Sequence, residues 1–130
     1  MSAEPGGEFE LAKTLGMRSA SMADGRCAWT MTIGSLHLNP YGIVHGGLLY
    51  TLMDYAMGGA VTSILDGRQR CTTLEIKMNY LAPASDGDVC ADAWVVSRGG
   101  RIVVLQGDVM SGTTKLAVAT GTFYIFTHAP

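Results

Sequence analysis

The chain has 130 residues, of which 48% are apolar and only 15% are charged, and its formal net charge is −2. This length predicts a single domain over residues 1–130 with a substantial core, and the charged fraction lies below the roughly 25% of ordinary soluble domains. The weak negative charge argues against a nucleic-acid partner, and the low charge density indicates a surface that is partly covered by self-association.

The residues before the long apolar stretch predict a short helix and a hairpin. Asp24-Gly25 is a typical hairpin turn between two strand-like runs. Asn39-Pro40 and Gly42 then break regular structure. The predicted elements are, in order, a loose tail over residues 1–7, a short helix over 8–15, strands over Met17–Ser21 and Arg26–Ile33, and a loop over 37–44.

A long helix is predicted from about Gly46 to Leu65, ending at a glycine cap in Asp66-Gly67. Its residues are apolar nearly all the way round, which is typical of a helix buried in a core. Asp54 lies in this helix and is the only formally charged residue from Cys27 to Leu65. A buried carboxylate must be paired, so Asp54 is predicted to be either a structural ion or a general base or nucleophile. The charge also argues against a membrane span.

Four strands are predicted after the helix. Apolar and polar residues alternate in Thr73–Tyr80, and this alternation places Thr73 on the polar face. Short connections predict that the four strands form one antiparallel meander, packed on the helix in an α+β arrangement. A small sheet covers only one side of such a helix, so the other side is predicted to need a second subunit. The remaining strands are Val89–Ser97, Arg101–Met110 and Lys115–Thr127.

The start of the long helix lacks the usual Ser, Thr, Asp or Asn cap, because the sequence there is Val44-His45-Gly46-Gly47. This predicts free backbone N–H groups at the positive end of the helix dipole, where an oxyanion or a polarised carbonyl would bind. Alternatively, Gly46-Gly47 serve only a tight turn into the helix. His45 is either a donor to a carbonyl or an anchor of the loop, and His37 and His128 are interpreted as ordinary surface residues.

Two further features of the helix suggest a pocket. Gly58-Gly59 lie in its middle, where each glycine costs about 1 kcal/mol relative to alanine. They predict a close approach by the sheet or by a partner chain, or room for a substrate tail. Met57 beside them would line a pliable pocket or belong to an ordinary core.

Other common chemistries have no support in the sequence. There is no GxSxG elbow, no HExxH or Cys/His cluster and no nucleotide-binding glycine loop. The three cysteines, an odd and sparse set, indicate reduced thiols in a cytoplasmic protein. We therefore expect no metal and no cofactor.

The segment Asn39–Gly47, read together with Asp54, resembles the hotdog-fold acyl-CoA thioesterases. The most similar branch is the phenylacetate-pathway thioesterase group, which includes the human thioesterase-superfamily proteins. The Asn79–Pro83 segment resembles the end of the strand after the helix in that group. The resemblance covers about Leu38 to the C-terminus. It implies a sheet of five or six strands wrapped around one central helix, in homodimers or homotetramers with active sites between subunits.

The same resemblance implies roles for individual residues. Gly47 would polarise the thioester carbonyl through its N–H, and His45 would support that carbonyl or the loop. Asn39 would position water or the carbonyl. Asp54 of the other subunit would activate water or attack directly, and Thr73 would hold the water.

Thr72 replaces Thr73 in this role if the strand register slips by one residue. Coenzyme A enters only as part of the substrate, and Arg98 and Arg101 are candidates for its phosphates or simply solvated strand ends. The other candidate substrate-binding residues are Gly46, Tyr50, Met57 and Asn79.

The sequence therefore predicts hydrolysis of a small or medium acyl- or aroyl-CoA. The alternatives are a hotdog enoyl-CoA hydratase or dehydratase, or a non-catalytic acyl-CoA-binding protein.

Overall fold

The computed structural model describes residues 9–128, so the predicted tail lies outside the described residues. The first helix is α1, Glu10–Leu15, and a hairpin of β1, Met17–Ala23, and β2, Arg26–Thr32, follows. A 3-10 turn at Ser35–His37 precedes the long helix α2, Gly46–Thr62. The remaining strands are β3 (Gln69–Tyr80), β4 (Asp88–Arg98), β5 (Ile102–Ser111) and β6 (Thr114–Thr127).

The six strands form one antiparallel sheet in the order β1-β2-β4-β5-β6-β3, with α2 packed against it. The α+β prediction is therefore confirmed. The predicted meander of four consecutive strands is wrong, because β3 pairs with β6 and only β4, β5 and β6 are consecutive neighbours. The β4 strand pairs with β5 on one side and with β2 on the other, so the β1–β2 hairpin forms one end of the sheet. The β3 strand pairs with β6 and forms the opposite edge.

One side of α2 is buried against the sheet and the other side is only half-buried. Leu52, Met53, Ala56 and Ala60 are fully buried on the sheet side. The half-buried side includes Asp54 and lies between the two edge strands β1 and β3. The sheet thus covers part of an all-round apolar helix, as the sequence predicts.

The end of α2 differs from the prediction. The helix stops at Thr62, with Ser63 as its C-cap, instead of continuing to Leu65. The Ser63 hydroxyl donates to the carbonyl of Ala60 and accepts a hydrogen bond from the Gly25 N–H in the β1–β2 turn, at 2.7 Å. Because this contact joins positions far apart in sequence, no local pattern could indicate it.

A β-bulge in β3 changes the direction of one candidate side chain. Thr73 pairs with Phe123 and Glu75 with Thr122, so Leu74 is an extra residue in the ladder. Phe123 faces the buried side of the sheet, and its partner Thr73 faces α2. The predicted position of Thr73 on the outer polar face is wrong, because a bulge shifts the alternation by one residue.

The long helix does not meet the requirements of a membrane span. Among residues 9–128, no helix combines the length and the hydropathy needed to cross a bilayer.

Candidate active site

Asp54 and Thr73 meet at a cavity on the half-buried side of α2. The Thr73 hydroxyl donates a hydrogen bond to Asp54 Oδ1 at 2.7 Å, and both side chains are half-buried. The cavity has a volume of about 290 Å³. Its lining comes from the residue before α1, from the middle and the end of α2, and from strands β1, β2, β3 and β6. The lining residues are Phe9, Ser19, Met22, Trp29, Asp54, Tyr55, Gly58, Gly59, Thr62, Cys71, Thr72, Thr73 and Phe123.

Three stacked aromatic rings form one wall of this cavity. Trp29 stacks on Tyr55 with ring centroids 4.6 Å apart, and Phe9 stacks on both rings at 6.1 and 5.7 Å. Offset stacking of this kind stabilises the cluster beyond its buried area. The wall presents apolar surface directly beside the Asp54 carboxylate.

The two glycines in the middle of α2 have different surroundings. A Cβ at Gly59 would collide with Cys27, whose Cβ lies 3.2 Å away, so Gly59 lets β2 pack closely on the helix. Within the described part of the chain, a Cβ at Gly58 would meet only Phe123 at 3.8 Å, which is an ordinary contact. The predicted close approach of the sheet thus holds for Gly59, whereas Gly58 faces the cavity.

The start of α2 is capped, and the prediction of free N–H groups there is wrong for Gly47. His45 is the N-cap residue, and its Nδ1 accepts a hydrogen bond from the Gly47 N–H at 2.9 Å. An imidazole replaces the Ser, Thr, Asp or Asn that usually accepts this bond. A Cβ at Gly47 would lie 3.1 Å from the His45 ring, so Gly47 makes room for its own cap.

Tyr80 packs on the other glycine of the helix start. Its hydroxyl donates to the Gly46 carbonyl at 2.7 Å, and a Cβ at Gly46 would lie 3.1 Å from the ring. A groove of about 350 Å³ adjoins this contact. The groove is lined by Asn39, Ile43, Val44, Gly46, Leu49, Tyr80, Leu81, Ala82 and Pro83. Tyr80 is not among the candidate residues predicted from the sequence, although it directly follows Asn79 in the Asn79–Pro83 segment that carries the resemblance.

The loop before α2 is held by two side chains. Asn39 Oδ1 accepts hydrogen bonds from the N–H groups of Tyr41 and Ile43, at 2.9 and 3.3 Å. His37 is buried rather than superficial, which corrects its interpretation as an ordinary surface residue. His37 Nε2 lies 2.8 Å from the carbonyl oxygen of Leu15, and His37 Nδ1 accepts a hydrogen bond from the Gly34 N–H.

The predicted catalytic residues therefore fall into two separate regions of one chain. We call Asn39, His45, Gly46, Gly47 and Tyr80 the helix-start region, and the surroundings of Asp54 and Thr73 the acid cavity. The cavity and the groove share no lining residue. Gly47 and Asp54 lie on the same helix, about 10 Å apart by its rise of 1.5 Å per residue.

The remaining predicted substrate-binding residues lie outside the acid cavity. Arg98 donates to the Ile64 carbonyl and Arg101 to the Tyr124 hydroxyl, both near the surface. Asn79 lines a separate groove on the outer face of the sheet, and Tyr50 is half-buried in the first turns of α2. Met57 is fully buried in the core and is not among the residues that line the acid cavity, which favours the core role of the two left open by the sequence.

Cys71 is the thiol that lines the acid cavity. Burial is the main cause of the raised pKa of the Cys71 thiol. A hydrogen bond with Thr62 lowers this pKa, and the nearby negative charge of Asp54 raises it. A raised pKa lowers the thiolate fraction and with it the nucleophilicity. The chemistry of the cavity therefore centres on the carboxylate. Within the described part of the chain, no group of three His, Cys, Asp or Glu residues is arranged to hold a metal ion.

Residues 41–118 match the family model of the thioesterase superfamily. The chain belongs to this superfamily. Among solved structures, this thioesterase-superfamily chain is similar to the conserved protein PA5202 from Pseudomonas aeruginosa, with 31% identity and a TM-score of 0.88 over 92% of this chain and 95% of that one. It is also similar to a point mutant of the phenylacetic acid degradation protein PaaI from Thermus thermophilus, with 27% identity and a TM-score of 0.83 over 89% and 98%. The hotdog fold is thereby confirmed.

Two curated relatives extend the similarity to hydrolases. A provisionally named esterase from Saccharolobus solfataricus is 36% identical over 65% of this chain and 57% of its own length. The thioesterase-superfamily chain thus spans less than two thirds of that relative. A 1,4-dihydroxy-2-naphthoyl-CoA hydrolase from Listeria monocytogenes is 26% identical over 82% of this chain and 86% of that protein. Both of these relatives carry the names of hydrolases.

Proposed function

We propose that the chain is an acyl-CoA thioesterase that hydrolyses a small or medium acyl- or aroyl-CoA to the free acid and coenzyme A. The observation that carries the proposal is the Asp54 carboxylate, which accepts a hydrogen bond from the Thr73 hydroxyl and lines a cavity with an aromatic wall. The name of the Listeria relative supports a CoA thioester as the substrate. We place the enzyme in the cytoplasm and expect it to work without a metal or an added cofactor.

The contact with Thr73 orients the carboxylate for catalysis. The Thr73 hydroxyl engages Oδ1, and among the described residues no donor engages Oδ2. Oδ2 is then the atom that accepts a proton from a water molecule. The water oxygen attacks the thioester carbonyl carbon, the carbon–sulfur bond breaks, and the proton passes to the departing thiolate of coenzyme A. In the nucleophilic variant, Oδ2 attacks the carbonyl carbon itself, and the carbon–sulfur bond breaks to give an anhydride and the thiolate of coenzyme A. Water then hydrolyses the anhydride to the free acid and the Asp54 carboxylate, and the proton that water releases passes to the thiolate.

The helix-start region supplies the donors to the carbonyl oxygen. Because His45 Nδ1 accepts the Gly47 N–H, the neutral ring carries its proton on Nε2. This exposed Nε2–H is a donor for the thioester oxygen. The Gly47 N–H is a second donor when the thioester oxygen and His45 Nδ1 both accept a hydrogen bond from it. Donors that face a developing oxyanion are typically worth about 10²–10³-fold in turnover each. Asn39 keeps the loop in the conformation that presents both donors.

The complete site requires two subunits. The donors and Asp54 lie about 10 Å apart on one helix, which is too far for both to act on one carbonyl. A two-fold axis would place the helix-start region of one subunit beside Asp54 of its partner. The half-buried side of α2 and the free edge of β3 are the surfaces that such a partner would cover. We therefore propose a homodimer as the smallest active unit, with tetramers built from such dimers.

The hydratase alternative needs a histidine and a carboxylate poised together on the acyl chain. Within one chain, neither His37 nor His45 lines the acid cavity. In the proposed dimer, His45 Nδ1 is engaged by the Gly47 N–H, so its ring donates to the carbonyl oxygen and is not a base for the acyl chain, which supports hydrolysis.

A screen of acyl- and aroyl-CoA esters that follows free thiol tests the proposal. We expect thiol release well above background from at least one ester, without added metal. Folded protein that releases no thiol from any ester would contradict hydrolysis, and hydration of an enoyl-CoA would establish the alternative.

A further inference from the structure

We propose that Gly58 sets the size of the acyl group that this site accepts, because its missing side chain provides the depth of the acid cavity. The inference rests on the proposed thioesterase function and assigns a specificity-determining residue to the same site. The occupant is the apolar part of the acyl group, which extends along α2 away from the Asp54 carboxylate.

The spacing along α2 sets the direction in which the acyl group runs. Asp54, Gly58 and Thr62 all line the cavity and are separated by four residues each, so they lie above one another on the same helix face. With a rise of 1.5 Å per residue, Gly58 lies about 6 Å and Thr62 about 12 Å beyond Asp54. An acyl group whose carbonyl meets Asp54 therefore reaches Gly58 within its first few carbon atoms.

The fold by itself does not explain a glycine at position 58. The neighbouring Gly59 is needed because any side chain would collide with Cys27. Among residues 9–128, a methyl group at Gly58 would meet only the Phe123 ring, at ordinary van der Waals distance. Alanine also favours a helix interior more than glycine does. Packing and helix propensity thus both permit alanine, whereas the cavity would lose depth.

The walls at this depth suit an apolar group with some width. Tyr55 and Trp29 present stacked rings on one side, and Phe123 lies behind Gly58. The volume of about 290 Å³ is near the lower end of the range for small-molecule pockets. We therefore expect six-carbon and phenylacetyl groups to fill the space beside Gly58, whereas an acetyl group ends before it.

The substitution Gly58→Ala tests this role in the full-length protein. For wild type and variant, kcat/KM is measured with acetyl-, hexanoyl- and phenylacetyl-CoA. One methylene in an apolar pocket changes discrimination by about 10–200-fold. We expect Gly58→Ala to lower the ratio of hexanoyl or phenylacetyl to acetyl activity at least about tenfold, and Gly58→Val to lower it further. Gly67→Ala, whose added Cβ meets nothing within 4 Å, is the matched control and should keep the wild-type ratio.

Two measurements separate this role from a structural one and from the proposed activity. Thermal unfolding should show Gly58→Ala at least as stable as wild type, and Gly59→Ala less stable. The affinity for non-hydrolysable acetyl and phenylacetyl thioether analogues of CoA is measured for wild type and Gly58→Ala. The substitution should weaken binding of the phenylacetyl analogue at least about tenfold more than binding of the acetyl analogue.

If wild type binds these analogues but hydrolyses no thioester, the proposed function fails while the role of Gly58 stands. Equal losses for short and bulky groups, an unchanged ratio, loss of stability in Gly58→Ala, or no analogue binding by wild type would overturn the proposal.

Discussion

The helix-start region and the acid cavity lie on the same helix but are built in opposite ways. In the helix-start region, polar groups are engaged by the protein itself: His45 caps Gly47, Tyr80 bonds the Gly46 carbonyl, and Asn39 holds its own loop. In the acid cavity, the recorded hydrogen bond to the carboxylate comes from Thr73, and an adjacent space of about 290 Å³ is left for a ligand. In the proposed mechanism, the first region is a rigid support for donors, and the second binds the acyl group.

The largest expected effect concerns the acid cavity. Asp54→Asn keeps the shape of the side chain and can still accept a hydrogen bond from Thr73, so the fold should persist. Turnover should fall by about 10²–10⁴-fold, the usual contribution of a general base, and further if Asp54 is the nucleophile. The measurement is kcat on the best ester of the screen. Asp66→Asn, an exposed aspartate just after α2, is the matched control. Near wild-type turnover in Asp54→Asn would make Asp54 structural and the mechanism wrong.

The second prediction tests whether the two regions act across subunits. Asp54→Asn and His45→Ala chains, each nearly inactive alone, are refolded together in equal amounts. Half of the dimers are then mixed and each has one intact site, so activity should recover to about a quarter of wild type. Each variant refolded alone is the control. A purified mixed dimer that stays inactive, while both parents are folded and dimeric, would show that the regions do not complement each other.

The third prediction separates two adjacent threonines in β3. Thr73→Val removes the donor to Asp54 Oδ1, and a hydrogen bond to a charged group is worth about 1.5–3 kcal/mol. We expect kcat to fall by about tenfold or more. Thr72→Val alters the exposed neighbouring residue and should have a smaller effect. The opposite result would assign the hydroxyl role to Thr72 and contradict the geometry of the bulge.

The smallest effect is expected for the thiol in the acid cavity. Burial raises the pKa of Cys71, so its thiol stays protonated near neutral pH and is a poor nucleophile. Cys71→Ala should change kcat by no more than about threefold, because it removes no group that touches the reacting atoms. A loss as large as that of Asp54→Asn would move the nucleophile from the carboxylate to the thiol.

Much of the fold follows from local patterns. The hairpin at Asp24-Gly25, the long helix and the later strands are confirmed, because turn residues and hydrophobic periodicity are encoded in neighbouring positions. Strand order is not local, and the pairing of β3 with β6 could not be read from short connections. The end of α2 at Thr62 likewise depends on a contact between Ser63 and Gly25, far apart in the chain.

For the site, the sequence by itself determined which residues are candidates for the chemistry: one carboxylate in an otherwise uncharged stretch, and a histidine and glycines at the start of its helix. Only the tertiary structure decided how they are used. A bulge at Leu74 turns Thr73 towards Asp54, and the His45 ring caps a helix whose sequence predicts no cap. The physical reason is that residue type fixes the available chemistry, whereas the direction of a side chain depends on strand register and on packing with distant segments. A shift of the register by one residue turns a side chain to the opposite face of the sheet.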